Sequence, residues 1–153
     1  MVNFRNLTDN NAFSDDNDII KLEVYSHQRD FAAPNVEALA EAYVGIINGV
    51  KISHAIYHSD TLAGLVIYTY DDDDSLYCLW HLMIDKNHQG KGYAKKAVEM
   101  VLDEIRTRPF GEAKNIVVHY EHINDAARGL YASFGFVETG EAADDKVSAI
   151  LEI

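Results

Sequence analysis

The sequence predicts one domain of the α/β class, built on a mixed (α+β) sheet, and three observations support this. The chain has 153 residues, a length typical of a single domain with a full hydrophobic core. Apolar patterns of helical and strand period follow one another in the order β, α, α, β, β, β, α, β, α, β. No linker or internal repeat divides the chain, so residues 1–153 are expected to form one unit.

The first half predicts a short strand and two helices. Apolar residues alternate over Val2–Leu7, which is typical of a strand. A polar stretch precedes a helix predicted over Asp18–Val24, and Pro34 disfavours helix in the segment after it. Asn35 is a suitable N-cap for the second helix. The apolar stripe of that helix consists of Val36, Leu39, Ala40 and Tyr43.

The middle of the chain predicts a hairpin and a third strand. Lys51–His58 and Leu62–Tyr70 alternate in polarity, and Ser59-Asp60-Thr61 between them is a turn signal. The acidic loop Asp71–Asp74 then leads into Leu76–Asp85, an apolar run that predicts a buried strand.

The last third predicts a long helix, a shorter one and the remaining strands. Apolar residues recur at helical spacing from Tyr93 to about Arg108, where Pro109 and Gly111 end the helix. The elements after it are strand Asn115–Tyr120, helix Ile123–Phe134, a short strand at Phe136–Thr139 and strand Val147–Ile153.

Charge and cysteine content exclude several classes of protein. The formal net charge is −12, from 25 acidic and 13 basic residues, which argues against binding of nucleic acid or anionic lipid. The single Cys78 cannot form an internal disulfide. No secretory segment or apolar run of membrane length is present, so a soluble cytoplasmic protein without membrane contact is expected. We predict no metal site.

The stretch Gln89–Ala94 (Gln-Gly-Lys-Gly-Tyr-Ala) lies between the buried strand and the long helix. The N–H groups of a helix N-terminus, the helix dipole and glycine backbone together favour an anion such as phosphate. A dinucleotide-binding fingerprint would need glycine or alanine where Lys95 stands, and a Walker loop would need serine or threonine after Gly-Lys, where Gly92 stands. Taken alone, the hexapeptide is also compatible with an ordinary strand-to-helix turn.

A second motif, Asn124-x-x-Ala127-x-x-x-Tyr131-x-x-x-Gly135-Phe136, follows about one strand and one helix later. Together the two motifs resemble the GNAT superfamily, the acetyl-CoA-dependent N-acyltransferases. The first corresponds to that family's pyrophosphate motif, Gln/Arg-x-x-Gly-x-Gly/Ala, and the second to its Asn…Tyr…Gly-Phe motif.

This resemblance is close over Leu76–Ile153 and loose before it. It implies a single GNAT-like domain with a central, mostly antiparallel sheet flanked by helices. The sheet would be splayed between the strands at about 76–85 and 115–120, with the pantetheine arm of acetyl-CoA in the gap. A GNAT-like module that holds acetyl-CoA without turnover, or another nucleotide binder that uses the same turn, remains the alternative.

The resemblance also assigns residues to acetyl-CoA. The residues so implied are the backbones of Leu82, Met83 and Ile84, the loop Gln89, Gly90, Lys91, Gly92, Tyr93 and Ala94, the charge of Lys95, and Asn124 and Tyr131. Each also has a structural interpretation: the strand residues fit a core strand, and Asn124 fits a helix cap.

The resemblance makes Tyr131 the general acid that protonates the departing thiolate. A phenol with a pKa of about 10 suits a thiolate with a pKa of about 8.5–10. His119, with an ordinary pKa of about 6.5, is the favoured general base. His81 and Glu121 lie on or beside the same two strands, and a water-mediated route without a single base stays open.

A finer resemblance, to the bacterial spermine/spermidine (diamine) acetyltransferases, concerns the amine acceptor. It rests on Gln28–Tyr43, Trp80–Asp85 and Gln89–Tyr93, although His81 stands where those relatives usually carry a basic residue. It implies a polyamine or diamine acceptor, and the acid surplus favours a cation. The predicted substrate-binding residues are Glu41, His81 and Glu121. An antibiotic, an amino acid or a protein N-terminus are alternative acceptors, and a homodimer is a further expectation because dimers are common in the superfamily.

Overall fold

The computed structural model describes residues 1–7, 18–30, 37–38, 40, 50–141 and 144–153, with only the backbone at 50–53. Its strands are β1 (Val2–Asn6), β2 (Val50–His58), β3 (Thr61–Asp71), β4 (Leu76–Ile84), β5 (Asn115–Glu121), β6 (Val137–Glu141) and β7 (Lys146–Glu152). Helix α1 (Tyr93–Arg106) follows β4, helix α2 (Asp125–Ala132) follows β5, and a 3-10 turn spans Ser26–Gln28.

The strands form one mixed sheet in the order β1-β2-β3-β4-β5-β7-β6. Every neighbouring pair is antiparallel except β4 and β5, which run parallel. The parallel pair is joined by α1, because parallel neighbours need a crossover connection rather than a hairpin. The predicted mixed, mostly antiparallel sheet is confirmed.

The sheet opens where β4 and β5 separate. Their register runs only from Tyr77 opposite Ile116 to Leu79 opposite Val118. Beyond that point β4 stays paired with β3 to its end, and β5 stays paired with β7 to its end. The splay implied by the family resemblance is therefore confirmed.

Two features of β3 and β4 turn the end of β4 away from β5. Trp80 is an extra residue in the ladder, since Ile67 pairs with His81 and the next residue of β3 pairs with Leu79; such a bulge bends its strand. Gly64 of β3 pairs with Ile84, the last residue of β4. A Cβ on Gly64 would collide with the Met83 carbonyl oxygen. Glycine thus allows the β4 backbone to close against β3.

The two faces of the sheet carry separate cores. On one face, α1 packs through a helical stripe of fully buried side chains: Ala97, Val98, Val101, Leu102 and Ile105. On the other face lies a smaller cluster, formed by Ile19, Ala38, Ala55, Tyr57, Leu65, Ile67 and Met83. Ile19 and Ala38, with the partly buried Leu22 and Val24, thus cover part of the face opposite α1.

A polar network fixes α1 to the sheet. Glu104 of α1 accepts a hydrogen bond from the Tyr68 hydroxyl (2.7 Å) and contacts His54 Nε2 at 2.9 Å. Burial opposes ionisation of Glu104, but these two partners outweigh it and lower its pKa. Burial, followed by the bond to Glu104, raises the pKa of Tyr68, which therefore remains a donor.

The predicted helix Asp18–Val24 is shorter than expected. Only residues 18–20 are helical, and residues 22–25 have no regular structure. The Glu23 N–H donates to the Asp85 carboxylate (2.9 Å), and the Glu23 carbonyl accepts from Lys86 N–H (2.7 Å). Both backbone groups that a helix would use are thus bonded to the two residues that follow β4. Of the second predicted helix, residues 37, 38 and 40 are helical; its cap Asn35 and the other stripe residues lie outside the described residues.

Candidate active site

A cleft of about 420 Å³ lies where β4 and β5 separate, bounded by the loop after β4 and by the two helices. The predicted coenzyme residues that line it are Leu82, Met83, Ile84, Gln89, Gly90, Gly92, Tyr93, Ala94, Lys95, Asn124 and Tyr131. Residues of the two motifs, which lie about thirty positions apart in sequence, thus meet in one cavity.

The loop 89–92 presents an open backbone face. Gly90 and Gly92 have φ values of +73° and +82°, which favour glycine over any other residue. A Cβ built on either glycine would meet nothing within 4 Å. The loop is therefore held in a left-handed conformation with empty space in front of it.

The N-terminus of α1 adjoins this open face. The N–H of Lys96 makes the first bond of the helix, to the Gly92 carbonyl at 3.1 Å, so the three N–H groups before it lie outside the intrahelical ladder. The first turn carries Lys95 and Lys96 and no acidic residue. Cations at a helix N-terminus are unfavourable beside the positive end of the helix dipole, whereas a bound anion would complement both the two lysines and the dipole. The arrangement fits a pyrophosphate.

Gln89 uses its side chain inside the protein. Its amide donates to the Ile84 carbonyl (2.9 Å) and pairs in both directions with the amide of Gln28. Lys91 contacts the Asn87 carbonyl at 3.1 Å and is exposed, outside the cleft lining. The side chains of Gln89 and Lys91 are thus engaged within the protein, and the candidate groups for an anion in this loop are its backbone N–H groups.

The backbone of β4 alternates in direction along the splay. The Met83 carbonyl lies against Gly64, and the Asp85 N–H donates to Ala63 at 2.8 Å, so both point to β3. Successive residues of a strand point their backbone groups to opposite sides, so those of Leu82 and Ile84 face the gap. The Met83 carbonyl thus points away from the gap, although Met83 lines the cleft, and its contact with the coenzyme stays a prediction.

Tyr131 lines the cleft and is only 6% exposed. Its ring stacks on Tyr120 with 5.9 Å between centroids and meets Phe136 edge-on at 5.5 Å. Burial, with a smaller contribution from Cys78, raises the pKa of Tyr131. The phenol therefore keeps its proton throughout the neutral range.

Asn124 caps α2, because its Oδ1 accepts the Ala127 N–H at 3.1 Å, and it also lines the cleft. Capping uses the oxygen and leaves the amide NH₂ as a donor. The structural interpretation of Asn124 is correct, and contact with the pantetheine arm stays a prediction.

The predicted acceptor-side residues lie on the face opposite Tyr131. On β5, Val118 and Tyr120 are buried against the helices, so His119 and Glu121 point the other way. His119 Nδ1 lies 2.8 Å from the Ser148 hydroxyl. Partial burial, and secondarily Lys146, lower the pKa of His119, so its imidazole is neutral at pH 7.

His81 lies beside the second core, since it pairs with Ile67 of that cluster. It is 8% exposed, and burial lowers its pKa to about 4. His81 is therefore uncharged at pH 7 and cannot replace a cation. It lies outside the cleft lining, as does His119.

The remaining acidic residues named from the sequence are remote or undescribed. Asp71, which pairs with Leu76 at the start of β4, accepts two backbone N–H bonds in its own turn. Leu82 in the cleft lies six positions after Leu76, roughly 20 Å along β4. The Asp71–Asp74 loop therefore does not reach the cleft. Glu41 lies outside the described residues.

Several lining residues were not predicted: Val24, Gln28, His88, Ala126, Ala127 and Leu130. The three on α2 lie at helical spacing around Tyr131, which the motif already indicated. Val24 and Gln28 belong to a segment about sixty residues before the glycine loop in sequence. No local sequence pattern predicts that this segment lines the cleft.

Two further features concern the described part of the chain. No group of three or more metal-ligating side chains occurs in it. None of its helices has the length and apolar character needed to cross a membrane.

Comparison with known proteins settles the family. Residues 19–136 match the model of the acetyltransferase (GNAT) family, a span of well over half the chain. The chain belongs to the GNAT family. Its activity is N-acetyl transfer with acetyl-CoA as acetyl donor, and the open glycine loop beside the α1 N-terminus fits the pyrophosphate of that donor.

Individual relatives agree with this assignment. The probable spermine N(1)-acetyltransferase of Bacillus subtilis subsp. natto (strain BEST195) is 26% identical over 151 residues, which cover 92% of this chain and 90% of that protein. N-acetyltransferase 8B of Homo sapiens is 39% identical over 64 residues, covering 42% of this chain and 27% of the human protein, so the match spans little more than a quarter of the latter.

Solved structures share the fold. A dodecameric structure of spermidine N-acetyltransferase from Vibrio cholerae superposes with a TM-score of 0.74 at 21% identity, covering 99% of this chain and 93% of the other. The same Vibrio enzyme in complex with CoA and spermine gives a TM-score of 0.70 at 20% identity, covering 99% and 95% of the two chains.

Proposed function

We propose that this GNAT protein acetylates a primary amine of a polyamine or diamine, with acetyl-CoA bound in the cleft between β4 and α2. The observation that carries the placement of acetyl-CoA is the meeting of an open glycine loop and a buried, protonated tyrosine in one cavity. The loop suits the phosphates of the donor, and Tyr131 suits its reacting end.

Backbone groups hold the donor in this proposal. The N–H groups at the start of α1 and of the glycine loop bind pyrophosphate, and Lys95 adds charge at the rim. The backbone of Leu82 faces the gap left by β5 and pairs with the pantetheine arm like a further strand. The Ile84 carbonyl is partly occupied by Gln89, so it contributes less to this pairing.

Tyr131 serves as general acid. The bound donor supplies the acetyl group and a thiolate leaving group. Burial raises the pKa of Tyr131, and the same dry surroundings raise that of a thiol held against it, so the two pKa values move in the same direction. The hydroxyl consequently remains a competent proton donor to the departing sulfur.

His119 or a water held by it accepts the proton of the amine. The low pKa of His119 keeps the imidazole neutral and able to accept a proton at pH 7. It points to the sheet face opposite Tyr131, so donor and acceptor approach from opposite sides of the splay. Glu121 on that face, with Glu41, is the proposed partner of a second ammonium group.

The polyamine acceptor is supported by the relatives rather than by the cleft. A polyamine retains charged ammonium groups while one amine reacts, and a chain with net charge −12 suits such a cation. The Bacillus relative carries the name of a spermine acetyltransferase and matches along most of the chain. A homo-oligomer is also proposed from the relatives, since the Vibrio enzyme has a dodecameric structure.

Release of CoA thiol across a panel of amines tests the acceptor. We expect spermidine or spermine to exceed a monoamine of equal length in kcat/KM. Equal values would remove the polyamine proposal and leave acetyl transfer intact. Absence of turnover with polyamines, aminoglycosides, amino acids and peptides alike would favour a module that binds acetyl-CoA without turnover.

A further inference from the structure

The segment of residues 22–30, here called the strap, is fastened to the coenzyme loop. The Glu23 backbone forms two hydrogen bonds, from its N–H to the Asp85 carboxylate and from Lys86 N–H to its carbonyl. An exposed ion pair between the Glu23 and Lys86 side chains lies beside them at 2.9 Å. The strap in turn forms one wall of the cleft through Val24 and Gln28.

The second fastening is a reciprocal amide pair, here called the clasp. Gln28 Nε2 donates to Gln89 Oε1 at 2.9 Å, and Gln89 Nε2 donates to Gln28 Oε1 at 2.8 Å. The same Gln89 nitrogen also donates to the Ile84 carbonyl at 2.9 Å. A glutamine amide has two N–H donors, so both donors of Gln89 are used and its orientation is fixed.

The position of the clasp links three parts of the site. Gln89 is the first residue of the glycine loop, and the Ile84 carbonyl that it holds faces the gap in the sheet. The Gln28 side chain on the other side of the clasp also accepts the Tyr25 N–H at 3.1 Å, a bond that caps the 3-10 turn. Gln28 is therefore bonded directly to the start of the glycine loop and, through Gln89, is linked to the end of β4.

We propose that Gln28 is a positioning residue for acetyl transfer, acting through the clasp to hold the glycine loop and the end of β4 in the geometry that receives acetyl-CoA. This inference rests on the proposed coenzyme site. Gln28 then acts mainly on binding of the donor, because Tyr131 and the reacting end of the cleft lie on other elements. Loss of the clasp weakens affinity for acetyl-CoA more than it slows turnover at saturation.

The test uses the full chain and two substitutions at Gln28. Gln28→Leu removes both clasp bonds at similar volume, and Gln28→Glu keeps only the bond that Gln89 donates. We expect Gln28→Leu to raise the Kd and KM for acetyl-CoA on the order of tenfold, the effect of losing about one net hydrogen bond, with kcat changed less than about threefold. The Kd and KM of Gln28→Glu for acetyl-CoA should lie between those of wild type and Gln28→Leu.

Two controls separate positioning from folding. Glu23→Gln breaks the exposed ion pair of the strap, keeps its backbone bonds, and should leave Kd and kcat unchanged. Gln89→Leu should weaken binding, and adding Gln28→Leu to it should weaken binding no further, because both residues act through one pair.

The outcomes separate the two proposals. Wild-type Kd and KM in folded Gln28→Leu, or additive effects in the double variant, would overturn the role of the clasp while leaving the coenzyme site in place. A lowered kcat with unchanged Kd would also overturn it. Failure of the wild-type protein to bind acetyl-CoA would overturn both proposals.

Discussion

The rings of Tyr120 and Tyr131 stack with 5.9 Å between centroids and 15° between planes. The Tyr120 hydroxyl donates to Glu138 at 2.8 Å, and Arg128 binds the same carboxylate oxygen at 2.7 Å. A surface ion pair thus anchors the ring on which the proposed acid rests. The stack ties the position of Tyr131 on α2 to β5, one of the two strands that separate.

This pair of tyrosines allows a matched test of the general acid. Tyr131→Phe and Tyr120→Phe each remove one hydroxyl and keep the stacked rings. We expect Tyr131→Phe to lower kcat on the order of 10²-fold, with little change in acetyl-CoA affinity. Tyr120→Phe should retain kcat within a few-fold, since its hydroxyl bonds Glu138 outside the cleft. Similar kcat values for both variants would mean that another group or water protonates the thiolate.

His81 should make stability depend on pH. Its folded pKa of about 4 lies below the ordinary value of 6.5, so the unfolded chain binds a proton that the folded chain excludes between these values. This contribution to the free energy of unfolding is therefore complete above about pH 6.5 and is lost as the pH falls toward 4, about 2 kcal/mol by pH 5. Urea unfolding at pH 7.5 and 5.0 measures it. His81→Gln should show a smaller difference between the two pH values, and an identical difference would contradict the assignment.

The network on α1 predicts unequal effects of removing two carboxylates of that helix. Glu104→Ala leaves the buried Tyr68 hydroxyl without its acceptor, so we expect a loss of about 2–3 kcal/mol in the free energy of unfolding. Glu99→Ala breaks an exposed pair with Lys96 and should change stability little. Chemical denaturation measures the free energy of unfolding of both variants. Equal losses of this free energy would show that the Glu104 network contributes no more than a surface ion pair.

Ionic strength should separate the proposed acceptor from the donor. Charge attraction holds a polyamine at exposed carboxylates, so added salt should raise its KM more than that of acetyl-CoA, whose phosphates meet backbone N–H groups. Replacing Asp71–Asp74 with asparagine is the control. The loop lies roughly 20 Å from the cleft along β4, beyond the screening length of about 10 Å at 0.1 M salt, so KM should stay within about twofold. A large rise would place those aspartates in the acceptor site.

Local pattern predicted much of this fold. Helical spacing from Tyr93 onward predicted the bounds of α1 to within about two residues, and alternation predicted those of β2 and β3 equally well. Each of these patterns reflects one buried face. Gly90 and Gly92 likewise predicted the open glycine loop. The separation of β4 from β5 came from family resemblance alone, since the bulge at Trp80 and the close approach at Gly64 leave no period in the sequence.

What the sequence did not reveal depends on contacts between distant residues. The predicted helix runs to Val24, yet Asp85 and Lys86 bind the Glu23 backbone and hold it out of a helix. The clasp joins side chains 61 positions apart. The direction of the Met83 backbone follows from pairing with β3, and the distance of Asp71–Asp74 from the cleft follows from where a hairpin turns. None of these is encoded in a local period.

The most direct test of the central claim is titration of acetyl-CoA into wild type and two glutamate variants. Gly92→Glu inserts a carboxylate into the open face of the anion loop, whereas Gly129→Glu makes the same exchange on the exposed face of α2, outside the cleft. We predict that acetyl-CoA raises the melting temperature of wild type and Gly129→Glu through mass action, and that folded Gly92→Glu shows no such shift. An equal shift in Gly92→Glu would contradict the placement of the donor in this cleft.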